Sequence, residues 1–153
     1  MSSDNLVVSD TSSIILLDKI GEIDILKQSF ARVYATPVVA REFGILLPDW
    51  ITVQEPADKI RQAKLDSIMD AGETSVLALA AEIGDCYVLI DDYKARRHAE
   101  SIQQKYLGTL GLILRAKRLN VIPAVRPLLE KVRQTDFWAR DSLYEFIIQE
   151  ANE

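Results

Sequence analysis

The chain has 153 residues and a mass of 17.2 kDa, the size of one domain built around one hydrophobic core. Hydrophobic residues make up 48% and charged residues 27%, which excludes a disordered tail, a collagen-like fibre and a disulfide-stapled miniprotein. A formal net charge of −5 repels nucleic acid overall, so any nucleic-acid role requires a local basic patch or a cation held by carboxylates.

The single cysteine, Cys86, forms no internal disulfide and no cysteine-rich zinc site, and the natural compartment is a reducing, cytoplasmic one. No stretch approaches the roughly 20 apolar residues of a membrane helix. Met1-Ser2-Ser3-Asp4-Asn5 lacks a basic lead, so no secretory signal is expected.

In chain order, residues 6–9 read as a short apolar strand, followed by the helix-capping residues Asp10-Thr11-Ser12-Ser13. Ile14, Ile15, Leu16, Leu17 and Ile20 predict a helix stopped at Gly21. A short helix over 23–30 and a strand over 32–35 come next. Thr36-Pro37 opens another helix, with Val39, Phe43 and Leu46 as its apolar face and Pro48-Asp49 as its end. Residues 51–54 read as a brief edge strand and 57–69 as a polar surface helix. Asp70-Ala71-Gly72-Glu73 precedes a mostly apolar helix that ends at Gly84. Residues 86–90 form the clearest strand, continuous and β-rich as a central parallel strand is.

Asp91-Asp92 then leads into a basic helix through about residue 103. A short strand over 105–108 and helices over 110–119, 123–133 and 143–151 complete the pattern. Strands alternating with helices predict an α/β sandwich around a mostly parallel sheet. Such sheets place their working site outside the carboxyl ends of the strands.

That rule draws attention to Asp10, just past the first strand, and to Asp91 and Asp92, just past the strand over 86–90. Glu42 and Glu73, in the first helix after the second strand and in the helix leading to residue 86, join them. Each acid also has an ordinary reading. Asp10, Asp91 and Asp92 fit helix N-caps, and Asp70 with Glu73 has the spacing of a capping box. Glu42 has Val38, Val39, Ile45 and Leu46 as helical neighbours, which leans its carboxylate toward an apolar interface where it needs a partner. Gathered carboxylates repel and raise one another's pKa, and a divalent cation removes that repulsion. Oxygen ligands without His or Cys favour Mg²⁺ or Mn²⁺, the ions of phosphodiester hydrolysis.

Four segments resemble the motifs of PIN domains, in order: Val7-Val8-Ser9-Asp10-Thr11-Ser12-Ser13, Pro37-Val38-Val39-Ala40-Arg41-Glu42-Phe43, Ala71-Gly72-Glu73-Thr74-Ser75-Val76-Leu77 and Val88-Leu89-Ile90-Asp91-Asp92. Asp91-Asp92-Tyr93-Lys94-Ala95-Arg96-Arg97, Gly108-Thr109-Leu110-Gly111, Ile122-Pro123 and Arg126-Pro127-Leu128-Leu129 resemble a bacterial and archaeal VapC-like toxin subgroup. The resemblance runs from about Leu6 to Ala151.

It implies a PIN-like three-layer α/β/α sandwich with a short, mostly parallel four- to five-stranded sheet. Residues 1–153 then form a single domain, with the helices from about residue 123 packed on it. It implies a Mg²⁺- or Mn²⁺-dependent ribonuclease acting on single-stranded or structured RNA and leaving a 5′-phosphate. Many such enzymes are the toxin half of a VapBC-like toxin–antitoxin pair, silenced by a small antitoxin and commonly homodimeric, and the resemblance implies that role here. Asp10, Glu42 and Glu73 are the implied metal-site acids, with one or both of Asp91 and Asp92. Two departures stand out. Familiar PIN toxins often carry Asp where this chain has Glu73. Their fourth motif reads Thr-x-Asp, against Ile90-Asp91-Asp92 here, so both aspartates stay candidates.

On the ribonuclease reading, Ser12 and Thr109 would hydrogen-bond a metal-bound water or a phosphate oxygen; their other roles are helix cap and turn residue. Lys94, Arg96 and Arg97 are the candidates for gripping RNA phosphates. Arg115, Lys117 and Arg118 form a second basic set that also fits a solvated helix face. His98, alone in a charged helix, reads as a surface residue, and Trp50 and Trp138 as packing or interface residues. Leu143, Phe146, Ile147 and Trp138 fit either a dimer contact or packing within the monomer. Two other classes compete: a receiver domain, whose acidic pair follows the first strand rather than a late one, and a degenerate PIN module that binds RNA or a protein without cutting.

Overall fold

Five short strands and nine helices alternate along the described residues, and every strand pair in the sheet is parallel. The computed structural model describes residues 5–67 and 69–153. The opening residues 1–4, read above for a missing signal, and Ile68, inside the predicted polar helix, lie outside the described residues.

The elements in order are β1 (Leu6–Ser9), α1 (Thr11–Lys19), α2 (Asp24–Ser29), β2 (Arg32–Ala35), α3 (Pro37–Phe43), β3 (Ile51–Val53) and α4 (Lys59–Asp66). They continue with α5 (Ala71–Ile83), β4 (Tyr87–Leu89), α6 (Tyr93–Ser101), β5 (Tyr106–Leu107), α7 (Thr109–Arg118), α8 (Arg126–Arg133) and α9 (Asp141–Glu150). The strand order is β3-β2-β1-β4-β5, with Val7 opposite Val33 on one side and Tyr87 on the other. Helices flank this sheet as an α/β/α sandwich. Helix α5 lies along β1 and β4 and carries α3, α4 and α6; α2 packs on β2 and α7, and α7 in turn carries α8 and α9.

Val7, Val8, Val88 and Leu89 are fully buried on the two central strands, as expected where helices cover both faces. Leu17, Leu26, Leu77, Leu79, Leu112 and Ile113 supply the helical side of the core. Glu153 ties α7 to the start of α8: its carboxylate accepts the Val125 N–H at 2.7 Å and the Lys117 ammonium at 3.1 Å.

The helices start where the sequence marks caps. Asp10, Thr36, Asp58, Asp70 and Asp92 each accept the backbone N–H three residues on, satisfying a donor the first turn leaves free. Two expected boundaries shift, one at a helix end and one at a helix start. Helix α3 stops at Phe43 because Gly44 adopts φ +83°, so Leu46 is not on its apolar face and stands 95% exposed. Helix α8 begins at Arg126, with Pro127 in its first turn, rather than at Pro123. No described helix is long and apolar enough to cross a membrane.

The chain passes from β1 outward to β2 and β3, then returns to place β4 on the other side of β1. The crevice beyond the carboxyl ends of β1 and β4 is therefore the topological switch point of the sheet. The Asp10 N–H donates to the Leu89 carbonyl at 3.0 Å, which carries the pairing of these two strands to their ends.

Candidate active site

Asp10 leaves β1 at that switch point. Its carboxylate accepts the Ser13 N–H at 3.1 Å and the Ser12 hydroxyl at 3.2 Å, and the residue is only 3% exposed. Capping and site geometry therefore coincide in one side chain. Burial pushes the Asp10 pKa up from 3.8 to about 7, and the negative charge of Asp91 adds to the rise, while the Ser12 and Ser13 donors oppose it.

Asp10 shares a cleft of about 270 Å³ with Thr11, Ser12, Glu42, Asp70 and Glu73. Glu73 lies in the first turn of α5. Its pKa is raised to about 7, first by burial and then by the charges of Asp70, Asp92 and Asp10, with a hydrogen bond to the Asp70 side chain adding to the effect. Two small residues bring α5 up to α3. The Ser75 hydroxyl is 2.7 Å from that of Thr36, the cap of α3, and Gly72 lies against Glu42. A Cβ on Gly72 would overlap the Glu42 carboxylate and come within 3.5 Å of Asp70.

Glu42 differs from its sequence reading. It does not lean into an apolar interface: it is exposed, and its carboxylate accepts the Thr11 hydroxyl at 2.6 Å. The early end of α3 is the cause, since Ile45 and Leu46 lie beyond the helix rather than beside the glutamate.

The two consecutive aspartates part company. Asp91 accepts three hydrogen bonds, from the Thr109 N–H at 2.9 Å, the Thr109 hydroxyl at 2.6 Å and the Ser13 hydroxyl at 3.1 Å. Gly108 permits this approach, because a Cβ there would meet the Asp91 carboxylate at 2.7 Å. Asp91 thus fastens the end of β4 to the starts of α1 and α7. Asp92 is exposed, caps α6 through the Ala95 N–H at 3.0 Å, and lines a hollow of about 400 Å³ with Asp66, Asp70, Glu73 and Lys94. Asp70 and Glu73 line both spaces and join them.

Thr109 is wholly buried and spends its hydroxyl hydrogen on Asp91, so it does not face a phosphate as its turn position suggested. Ser12 is exposed beside Asp10 and is not the cap of α1, which is Asp10 itself. Of the first basic set, Lys94 lines the acidic hollow, Arg97 lies on Tyr93, and Arg96 lies over the Tyr106 ring at 5.2 Å. The second set is structural. Arg115 sits over Phe30 and donates to the Ser29 carbonyl, while Lys117 and Arg118 pair with Glu153 and Glu150. His98 lines a separate pocket among α4, α5 and α6, whose lining includes none of the candidate acids. Trp138 is 76% exposed; Trp50 packs partly against the core, and Ile147 is buried in the monomer while Leu143 and Phe146 stay exposed.

Asp70, Thr11 and Ser13 also belong to the site and carry little sign of it in the sequence. The capping-box spacing of Asp70 and Glu73 was the available signal for Asp70. Thr11 and Ser13 lay within the Asp-Thr-Ser-Ser run, but their partners Glu42 and Asp91 are 31 and 78 residues away.

A divalent ion suits this donor set, which is all carboxylate oxygen with two acids near pKa 7. Among the described residues no three such groups are gathered closely enough to hold one ion as they stand, and Glu42 is drawn aside onto Thr11. Gly72→Ala tests that placement. The displaced atoms are the far end of the flexible, exposed Glu42 side chain, held by Thr11, so stability should stay within about 1 kcal/mol of wild type, helped by the helix preference for alanine. Any activity that needs Glu42 should fall about 10-fold or more, the scale seen when a ligand's support is disturbed. Unchanged activity in steady-state assays would take Glu42 out of the site.

A family model for the PIN domain matches residues 6–153. No curated protein and no solved structure matches the chain.

Proposed function

Because the chain belongs to the PIN domain family, we propose that it is a divalent-metal-dependent endoribonuclease. PIN domains are in general nucleases, and most use divalent metals. The observation that carries the proposal is the placement of Asp10, a buried carboxylate at the switch point, in one cleft with Glu42 and Glu73.

Asp10, Glu73 and Asp92 would hold Mg²⁺ or Mn²⁺, with Glu42 joining them on leaving Thr11. A bound ion would supply a water of lowered pKa and offset charge on the phosphate. The reaction is hydrolysis: a water oxygen bonds to phosphorus, the P–O3′ bond breaks and the 3′ oxygen takes a proton, leaving a 5′-phosphate and a 3′-hydroxyl.

Ser12 and the Ser13 N–H orient Asp10, and Asp91, held by Thr109 and Ser13, fixes the chain that presents Asp92. Lys94 supplies positive charge at the rim for an incoming phosphate. The same reading makes the chain the toxin of a VapBC-like pair, cytoplasmic, with a small antitoxin over the acidic cleft. Exposed Trp138, Leu143 and Phe146 support a homodimer contact.

Cleavage of 5′-labelled RNA in Mg²⁺ or Mn²⁺, abolished by EDTA and restored by added metal, is the expected result. Undiminished cleavage in EDTA would refute the metal dependence. Binding must also release protons, because Asp10 and Glu73 ligate only when ionised and both titrate near 7. Mn²⁺ affinity measured by calorimetry should rise about 10-fold between pH 6 and pH 8 for each of these protons released. A flat profile would mean that neither acid ligates.

A further inference from the structure

Tyr93, the first residue of α6, is 70% exposed, unusually open for a tyrosine in an ordered helix. Its neighbours in sequence, Asp92 and Lys94, both line the acidic hollow. One turn along the helix, Arg97 donates to the Tyr93 hydroxyl at 3.0 Å, and its guanidinium carbon lies 5.8 Å from the ring centroid. This i, i+4 pair restrains the ring before anything binds, which lowers the ordering cost of using it as a contact. Lys94 makes no ion pair among the described residues. The start of α6 therefore offers an open aromatic face flanked by two cations at the edge of the site. That combination of a stacking surface with backbone-gripping charge is how unpaired nucleic acid strands are held.

We propose that Tyr93 is a stacking platform for one unpaired base of the substrate strand, with Arg97 fixing the ring and Lys94 gripping an adjacent phosphate. The inference rests on the nuclease reading and deepens it: the strand must be single at that position, because a paired base has no free face to give. Tyr93 acts on binding and register, not on the chemical step, so it is a specificity residue rather than a catalytic one.

The test uses full-length chain and a fluorescein-labelled single-stranded RNA 12-mer, together with a series in which each nucleotide in turn is abasic. Wild type should bind the intact strand more tightly than the matching blunt duplex, and one abasic position should weaken binding roughly 5- to 100-fold. In Tyr93→Ala the intact strand should bind weakly by a similar factor, and the penalty at that abasic position should vanish. Tyr93→Phe, which keeps the ring and loses the hydroxyl, should stay within about 3-fold of wild type because the π-face remains. In cleavage assays Tyr93→Ala should raise KM and leave kcat nearly unchanged.

An abasic penalty that persists in Tyr93→Ala overturns the proposal, as does an equal preference for duplex. Cleavage by wild type with an unaltered KM in Tyr93→Ala removes the stacking role and leaves the nuclease. Position-dependent binding by a wild-type chain that cuts nothing removes the nuclease and leaves the stacking role. A wild-type chain that does not bind the strand overturns both. A DNA 12-mer of the same sequence separates base stacking, which tolerates either sugar, from recognition of the 2′-hydroxyl.

Discussion

Asp10→Asn is expected to melt above the wild type in EDTA at pH 8 while its RNA cleavage falls by more than about 100-fold, beyond the usual loss from disturbing a ligand's supporting partner. The two effects share one cause. In the unfolded chain an aspartate titrates near 3.8, whereas in the fold burial raises Asp10 to about 7. Below pH 3.8 both states are protonated and Asp10 has no effect on stability. As pH rises from 3.8 toward 7 the unfolded chain loses the proton and the folded chain keeps it, so stability falls. Above 7 both are ionised and the penalty is complete, at most about 4 kcal/mol.

Asparagine keeps an oxygen to accept the Ser13 N–H and carries no charge. Its stabilising effect should therefore be absent at pH 3.5, grow through the window and level off above pH 7. For a chain of this length each kcal/mol is worth about 2–4 °C in Tm. Saturating Mn²⁺ should reverse the ranking, because the wild type gains stability from the ion and the variant loses a ligand. A variant no more stable than wild type at pH 8 in EDTA would mean that Asp10 is not held as a strained carboxylate.

Asp91 and Asp92 should both be needed for cleavage but differ in their effect on stability, although they are adjacent. Asp91→Ala leaves Thr109 with an unpaired buried N–H and hydroxyl, and Ser13 with an unpaired hydroxyl, a loss of about 2–4 kcal/mol for a carboxylate that accepts three bonds. That variant should lose stability in urea unfolding, and lose activity as the end of β4 comes loose from the starts of α1 and α7. Asp92→Asn retains an N-cap oxygen on exposed surface, so its stability should lie within about 0.5 kcal/mol of wild type. Its cleavage and its Mn²⁺-dependent rise in Tm should both collapse. If Asp92→Asn cuts normally and Asp91→Asn folds but does not cut, the assignments must be exchanged.

The positions of the strands and the acids past their ends were legible because local signals carry them. The apolar run before Asp91 reads as the most convincing buried strand, and Thr36-Pro37 starts a helix well. Asp10 was visible as both cap and candidate, and the fold makes it both. What stayed hidden depends on residues far apart in the chain. The surroundings of Glu42 turn on where Gly44 ends α3, and an exposed carboxylate held by Thr11 leaves no trace in helical spacing. The two aspartates could not be told apart because Thr109 and Ser13, which claim Asp91, lie 18 residues after it and 78 before it. Asp70 carried the signal of a helix cap, and its second role beside Glu73 arises only where two helix starts meet the same crevice.

The most direct test of the account is cleavage of a 5′-labelled single-stranded RNA by wild type and Asp10→Asn side by side, each in Mg²⁺, Mn²⁺ and EDTA, with circular dichroism confirming that both are folded. Fragments are expected from the wild type with either metal and none in EDTA, and none from the folded variant under any condition. Equal cleavage by the two proteins, or a folded wild type that binds Mn²⁺ and leaves the RNA intact, would contradict it.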